Sequence, residues 1–296
     1  MSTARRLSED IAAPAASFSF EFFPPKSDAG ERALWTAIRE LEPLHPTFVS
    51  VTYGAGGTTR DRTVRITERI ATETTLRPVG HLTCVGQSRD DLRMVLGQYA
   101  AAGVRNILAL RGDPVGGPGA PWTSHPDGLD HGVELVSLVS GLGSFCVGAA
   151  AYPKGHREAP DLDSDADVVV AKARAGAEFA VTDFFFLAED YLGLVDRVRA
   201  RGCDIPIVPG IMPITNLAQI SRMAELSGHS VPASVVSRLE PWVDDPEGLR
   251  DEGTQIATEL CSSLLERGAP GLHFYTLNRS RATRQIYQNL APLVVG

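Results

Sequence analysis

Two hydrophobic rhythms alternate along the chain from Ser17 onward. Short apolar, β-rich runs fall at SFSFEFF (17–23), FVSVTYG (48–54), PVGHLTC (78–84), NILALRG (106–112), CVGAAAY (146–152), FAVTDFFF (179–186), IPIVPGIM (205–212) and GLHFYTLN (271–278). Between them lie stretches such as ERALWTAIREL, TVRITERIATET, RDDLRMVLGQYAAAG, DADVVVAKARAGAE and AEDYLGLVDRVRARG. Their apolar residues recur at spacings of three and four, which places them on one face of a helix. Gly103, Gly176 and Gly202 stand where three helices should stop ahead of the next strand. Eight strands alternating with helices predict an α/β fold, a (β/α)8 TIM barrel over residues 17–296 as a single catalytic domain. Residues 213–270 are more than one crossover requires and predict two or three helices between strands seven and eight. An open doubly wound sheet that binds a dinucleotide would carry GxGxxG after its first strand, and none is present. Residues 1–16, MSTARRLSEDIAAPAA, have no apolar signal core and carry acids soon after Arg5 and Arg6, so they read as a flexible N-terminal arm of a cytoplasmic protein.

Side chains alternate faces along a strand. In the first run Phe18, Phe20 and Phe22 share one face, and Ser17, Ser19 and Glu21 share the other. The phenylalanines suit the layer beneath the helices, so Glu21 is expected to point into the barrel near its C-terminal mouth, where sites on this fold are built. Five further strands end in polar residues at the same level: Thr52, His81 with Thr83, Asp113 after Arg111 and Gly112, Tyr152, and Asp183. Each alone has a structural explanation. Together they are harder to dismiss, because a barrel interior is otherwise filled by apolar layers. A buried Glu21 beside other carboxylates is expected to have a raised pKa and to hold a proton near neutrality. GAGGTT (54–59) lacks the Walker ending and reads as a flexible loop.

Composition narrows the classes. The chain is 43% hydrophobic and 22% charged, ordinary for a globular enzyme. The net charge is −8 and no Lys/Arg cluster stands out, which disfavours nucleic acid as partner. Anionic small molecules need only a few local cations. No apolar run approaches the ~20 residues of a membrane helix. Cys84, Cys146, Cys203 and Cys261 form no CxxC pair and read as reduced thiols, and no His/Cys/Asp/Glu spacing suggests a metal.

Eight motifs occur in order over nearly the whole chain: FSFEFFPPK (18–26), FVSVTYGAGG (48–57), HLTC (81–84), ALRGDP (109–114), AAYPKGH (150–156), FFF (184–186), PGIMPITN (209–216) and HFYTLNR (273–279). This set resembles the methylenetetrahydrofolate reductase family. The resemblance implies reduction of 5,10-methylenetetrahydrofolate to 5-methyltetrahydrofolate, with NADH or NADPH as hydride donor. It implies Glu21 as general acid and Asp113 as the group that stabilises positive charge near the pterin. Thr52, His81, Arg111, Gly112, Tyr152, His156, Asp165 and Lys172 match positions that contact FAD in flavin-dependent members. Tyr53, Phe184 and Arg279 complete the implied substrate- and cofactor-binding set.

Four departures stand out. Val168 replaces an Asn, Ala171 an Arg, Asp183 a Gln, and Met223 an aromatic residue of the flavin-dependent pattern. The first two remove polar anchors, and Asp183 adds a carboxylate to the catalytic set. A reduced flavin anion would be repelled there, whereas a cationic iminium and a cationic nicotinamide would be favoured. The expectation is direct hydride transfer, with FAD doubtful. The alternatives are an ordinary FAD enzyme and a non-catalytic pterin-binding paralogue. The expected partners are the folate and the dinucleotide, with no nucleic acid or membrane; a homo-oligomer is allowed.

Overall fold

Alternation along the first strand separates two cores. The computed structural model describes residues 5–53 and 60–294, so the loop GAGGTT (54–59) lies outside it. β1 (Ser17–Phe22) sends Phe18, Phe20 and Phe22 into the large core between strands and helices. The strands β2 (Phe48–Val51), β3 (Pro78–Thr83), β4 (Asn106–Leu110), β5 (Cys146–Ala151), β6 (Phe179–Phe184), β7 (Ile207–Ile211) and β8 (Gly271–Tyr275) follow in chain order. All pair in parallel, and β8 pairs back to β1, closing the TIM barrel.

Helices α2 (Asp28–Leu41), α3 (Arg60–Glu73), α4 (Arg89–Ala101), α5 (Gly132–Gly141), α6 (Leu162–Arg174) and α7 (Ala188–Ala200) make the first six crossovers. Their starts and stops follow local chemistry. Ser88 caps α4 by accepting from Asp91 N at 3.0 Å, while Asp91 accepts from Ser88 N at 3.2 Å. Gly103, Gly176 and Gly202 all adopt positive φ at the helix ends where they were expected. Three helices lie between β7 and β8, as the length of that segment predicts: α8 (Leu217–Leu226), α9 (Ala233–Leu239) and α10 (Pro246–Glu266). They form a satellite core with Phe184, Met212 and Ile214. After β8, α11 (Arg281–Val294) completes the ring.

The strands stop one to three residues earlier than the apolar runs suggest. Thr52, Tyr53, Arg111, Gly112 and Tyr152 therefore stand in the turns above the strand ends. Single bonds continue the ladder there, as from Thr52 N to Phe22 O at 2.9 Å.

Residues 5–16 correct the expectation of a loose arm. They include α1 (Leu7–Ile11), whose Leu7 and Ile11 are fully buried. Both pack with Phe48, Val79, Leu108, Cys146, Phe179, Val181 and Val208, the apolar layer at the bottom of the barrel. Arg6 holds Glu178 and donates to Phe145 O at 3.0 Å, and Arg77 pairs with Asp10 at 2.5 Å. The helix closes the barrel end opposite the mouth.

Candidate active site

Inward-facing positions become polar above the apolar bottom layer. His273 marks the change: its ring stacks on Phe48 at 5.5 Å, and its Nδ1 lies 2.7 Å from Ser19 Oγ. Its Nε2 lies 3.3 Å from Glu21 Oε2. Ser50 Oγ donates to that same oxygen at 3.3 Å, and His81 Nε2 stands 3.4 Å away without hydrogen-bond geometry. The strand register explains the convergence, since Glu21 pairs with Ser50 across β2 and Ser19 with His273 across β8. These contacts all fall on Oε2, which leaves Oε1 for the cavity that Glu21 lines.

That geometry reverses the expected pKa. Burial opposes ionisation of Glu21, but the hydrogen bonds from His273 and Ser50 hold the carboxyl below its ordinary range. Its immediate neighbours are imidazoles and a hydroxyl rather than carboxylates. Burial also drives His81 down to about 4, so it stands neutral beside Glu21. Among the carboxyls that line the cavity the raised one is Asp183, pushed up to about 6 by burial, with Glu21 and Asp113 adding, against hydrogen bonds from Phe184 N and Ser227.

A cavity of about 610 Å³ opens above Glu21 at the C-terminal mouth. Thr52, Tyr53, His81, Arg111 and Asp113 line one side of it. Tyr152, His156, Asp183 and Phe184 line another, with Met223 of α8. Tyr275 also faces it and donates to Thr182 O at 2.6 Å. Gly210 makes room for that ring, because a Cβ there would come within 2.7 Å of it.

The remaining expected residues support the wall or lie apart. Gly112 takes a positive φ of 84°, and a Cβ on it would strike Val85 at 2.7 Å. Arg111 is clamped by Glu158 at 2.5 and 2.9 Å and lies over the Trp122 ring. Lys172 is buried behind the wall and donates to Ala150 O at 2.7 Å; burial lowers it to about 8. Burial raises Asp165 on the same helix, and its Oδ2 has no hydrogen-bond partner. Thr83 Oγ1 is likewise buried and unpartnered. Arg279 is exposed beyond β8 and does not line the cavity.

Val168 and Ala171 sit on the outer part of α6. Val168 is 44% exposed, and neither residue lines the cavity. Their apolar side chains therefore bear on a ligand lying out over α6, not on the space above Glu21. Among the described residues no group of three or more His, Cys, Asp or Glu could hold a metal ion. No described helix is long and apolar enough to cross a membrane.

Sequence reasoning missed Ser50, His273, Tyr275 and Arg157, which also lines the cavity. Alternation could have found the first three: Ser50 lies two residues past inward Phe48, and Gly271, His273 and Tyr275 share one face of β8.

Comparison with known proteins agrees with this architecture. A family model described as methylenetetrahydrofolate reductase matches residues 6–291. The 5,10-methylenetetrahydrofolate reductase of Escherichia coli is 38% identical over 272 residues, 92% of this chain and 90% of that one. Methylenetetrahydrofolate reductase 1 of Schizosaccharomyces pombe is 38% identical over 287 residues, 94% of this chain but 47% of that one. Methylenetetrahydrofolate reductase (NADH) 1 of Arabidopsis thaliana is 35% identical, again covering 48% of its length. The chain thus spans about half of the yeast and plant relatives and nearly all of the bacterial one. A solved Clostridium thermocellum protein that binds two copies of 5-methyl-5,6,7,8-tetrahydrofolic acid shares the fold, with a TM-score of 0.70 at 12% identity over 98% of this chain and 99% of that one.

Proposed function

The chain belongs to the methylenetetrahydrofolate reductase family, and on that premise we propose that it reduces 5,10-methylenetetrahydrofolate by direct hydride transfer from NADH or NADPH, without a flavin. One observation carries the reading: Glu21, Asp113 and Asp183 line a single cavity, and Asp183 feels the charge of both others. Three carboxylates around one reacting position favour cationic species there.

Opening the five-membered ring of the folate breaks a carbon–nitrogen bond, gives the departing nitrogen a proton and leaves a 5-iminium cation. Glu21 Oε1 is the oxygen placed to give that proton. Asp113 and Asp183 stabilise the cation once formed. The dinucleotide supplies the hydride that converts the iminium carbon to a methyl group, and its own ring becomes cationic, again favoured by the same carboxylates. Met223 and Phe184 provide apolar surface for flat rings.

The residues present fit a reduced flavin poorly. Thr83 Oγ1 and Asp165 Oδ2 are unpartnered, but both residues are buried and neither lines the cavity, so they favour neither ligand. The outer face of α6, however, presents Val168 and Ala171, and a reduced flavin anion would meet Asp183. Hydrogen bonds to charged groups are worth roughly 1.5–3 kcal/mol each, so two missing anchors weaken such a ligand by a hundredfold or more.

The test is the absorbance of freshly purified protein between about 350 and 500 nm, together with an NADH-oxidation assay lacking flavin. Colourless protein, intersecting double-reciprocal lines and deuterium passing from labelled NADH into the methyl group are expected. A stoichiometric yellow cofactor with parallel lines would restore the flavin enzyme. Failure to oxidise either dinucleotide with the folate would leave the non-catalytic pterin binder.

Asp183 gives this reading a pH signature. Its carboxyl is charged above about 6 and neutral below. The ionised form favours the iminium, so kcat/KM should fall as pH drops through that value. In Asp183→Asn the acid limb should flatten and the plateau should drop roughly tenfold, the worth of one charged contact. A limb that persists unchanged in the variant would remove Asp183 from the reaction.

A further inference from the structure

Two neighbours in one strand should face opposite ways, yet Asp183 and Phe184 both line the cavity. The phase of β6 slips between them. Phe179 and Val181 point into the barrel, and Ala180 points out to the helices. Alternation would then turn Phe185 inward, but it lies in the outer core, its ring stacked on Tyr191 of α7 at 5.9 Å. The register with β7 shows the cause. Val181 pairs with Val208 and Phe184 with Gly210, so two residues of β6 stand against Pro209 alone. This is a β-bulge, a device that re-aims side chains where a strand meets a site.

The two neighbouring strands hold it. Pro209 has no N–H to give to the ladder. Gly210 N donates to the side chain of Thr182, 2.8 Å from Oγ1. The Thr182 carbonyl reaches β8 and accepts from the Tyr275 hydroxyl at 2.6 Å. A Cβ on Gly210 would lie 2.2 Å from that carbonyl and 2.9 Å from that hydroxyl, so only glycine leaves room for the bond. Burial holds the Tyr275 hydroxyl well above its ordinary range, so it stays a donor. Inside the bulge, Phe184 N donates to Asp183 Oδ1 at 2.8 Å and fixes the carboxyl against the strand's own backbone.

We propose that Tyr275 and Thr182 are positioning residues: they lock the bulge in β6 and, through it, set the place of Asp183 and Phe184 beside the reacting ring. The proposal rests on the reductase reading above for the identity of that ring. The bulge delivers a carboxylate and a flat apolar surface from adjacent positions, one for charge and one for packing. Removing the tyrosine hydroxyl frees the Thr182 peptide to turn, and Asp183 and Phe184 turn with it. Asp183 reports such a change before any reaction. Glu21 of β1 and Asp113 beyond β4 raise its pKa, Tyr152 beyond β5 and Tyr275 of β8 feel its charge, and Phe184 N and Ser227 donate to it. The bond from Phe184 N favours the ionised form, so loosening the bulge should raise the carboxyl further.

The test is an amide titration paired with kinetics. The chain has 11 phenylalanines, so labelling with 15N-phenylalanine leaves few amide signals. The one that titrates near pH 6 in wild type but not in Asp183→Asn belongs to Phe184. In Tyr275→Phe and in Thr182→Val, which keep the side chains' shape, that midpoint should rise by roughly half a pH unit or more. Thr182→Ser keeps the hydroxyl and should keep the midpoint. With methylenetetrahydrofolate and NADH, kcat/KM should fall about tenfold in the first two, the scale of one lost hydrogen bond. The acid limb of kcat/KM should move up with the amide's midpoint. A lower melting temperature with an unmoved midpoint would make both residues structural only and overturn the proposal. So would wild-type kinetics in variants whose midpoint has moved. If the wild type reduces no folate, the reductase reading fails separately, and the amide titration still decides whether the two residues hold Asp183.

Discussion

Glu21→Gln is expected to lower turnover by at least about a hundredfold, the usual worth of a general acid, while folate binding is kept. The amide preserves the side chain's shape and can still contact Ser50 and His273, so the fold should hold. It cannot give up a proton to the nitrogen that leaves the iminium carbon. In the ligand-free cavity Glu21 rests ionised, so it must gain a proton when substrate covers it. The groups beneath it accept either state. With Glu21 ionised, His273 Nε2–H donates to it, and Ser19 O–H donates to Nδ1, 2.7 Å away. With Glu21 protonated on Oε1, the oxygen that faces substrate, Oε2 still accepts from His273 Nε2–H and from Ser50. Oε2 keeps the same partners in both states, so a proton can come and go at Oε1 without breaking the bonds beneath it. Stopped-flow and steady-state turnover of the folded variant are the measurements. A rate within about threefold of wild type, well short of the general-acid range, would remove Glu21 from the proton transfer.

The sequence made the face of Glu21 legible but not its neighbours. Period-two alternation needs only one strand, and it separated Phe18, Phe20 and Phe22 from Glu21 correctly. The pKa of Glu21 depends on what lies across β2 and β8, and cross-strand register is set by barrel closure. Ser50 and His273 come from pairings 29 and 252 residues away in the chain. Hence the carboxyl expected to be raised is lowered, and the raised one in the cavity is Asp183. Helix phase was a similar limit for α6. Asp165 and Lys172 lie seven residues apart and both turn inward, whereas Val168 and Ala171 turn out toward solvent. The type of each substitution was readable, but the part of a ligand it would touch was not.

The largest effect on stability is expected at the opposite end of the barrel. Leu7→Ala with Ile11→Ala should destabilise the protein by several kcal/mol, since truncating a buried Leu or Ile costs about 2–5 kcal/mol. The segment looked loose because it holds one apolar i,i+4 pair in a run of Ala, Ser, Pro and charge, too short for a helical period to register. A helix of 5 residues has no stability of its own, so α1 exists only by docking. What it docks on is the apolar end of the barrel interior, where Phe48, Phe179 and Val208 would otherwise face water. Both side chains are fully buried there, and the ion pairs of Arg6 with Glu178 and of Asp10 with Arg77 hold the helix at its two ends. Exposed pairs of this kind contribute about 0–1 kcal/mol each, so the apolar pair dominates. At about 2–4 °C per kcal/mol for a chain of this size class, the melting temperature should fall by roughly 10–20 °C. Turnover at 20 °C should stay near wild type, because Glu21 and the mouth lie beyond the His273 layer. A melting temperature within about 2 °C of wild type, less than one kcal/mol, would mean that α1 does not close the barrel in solution.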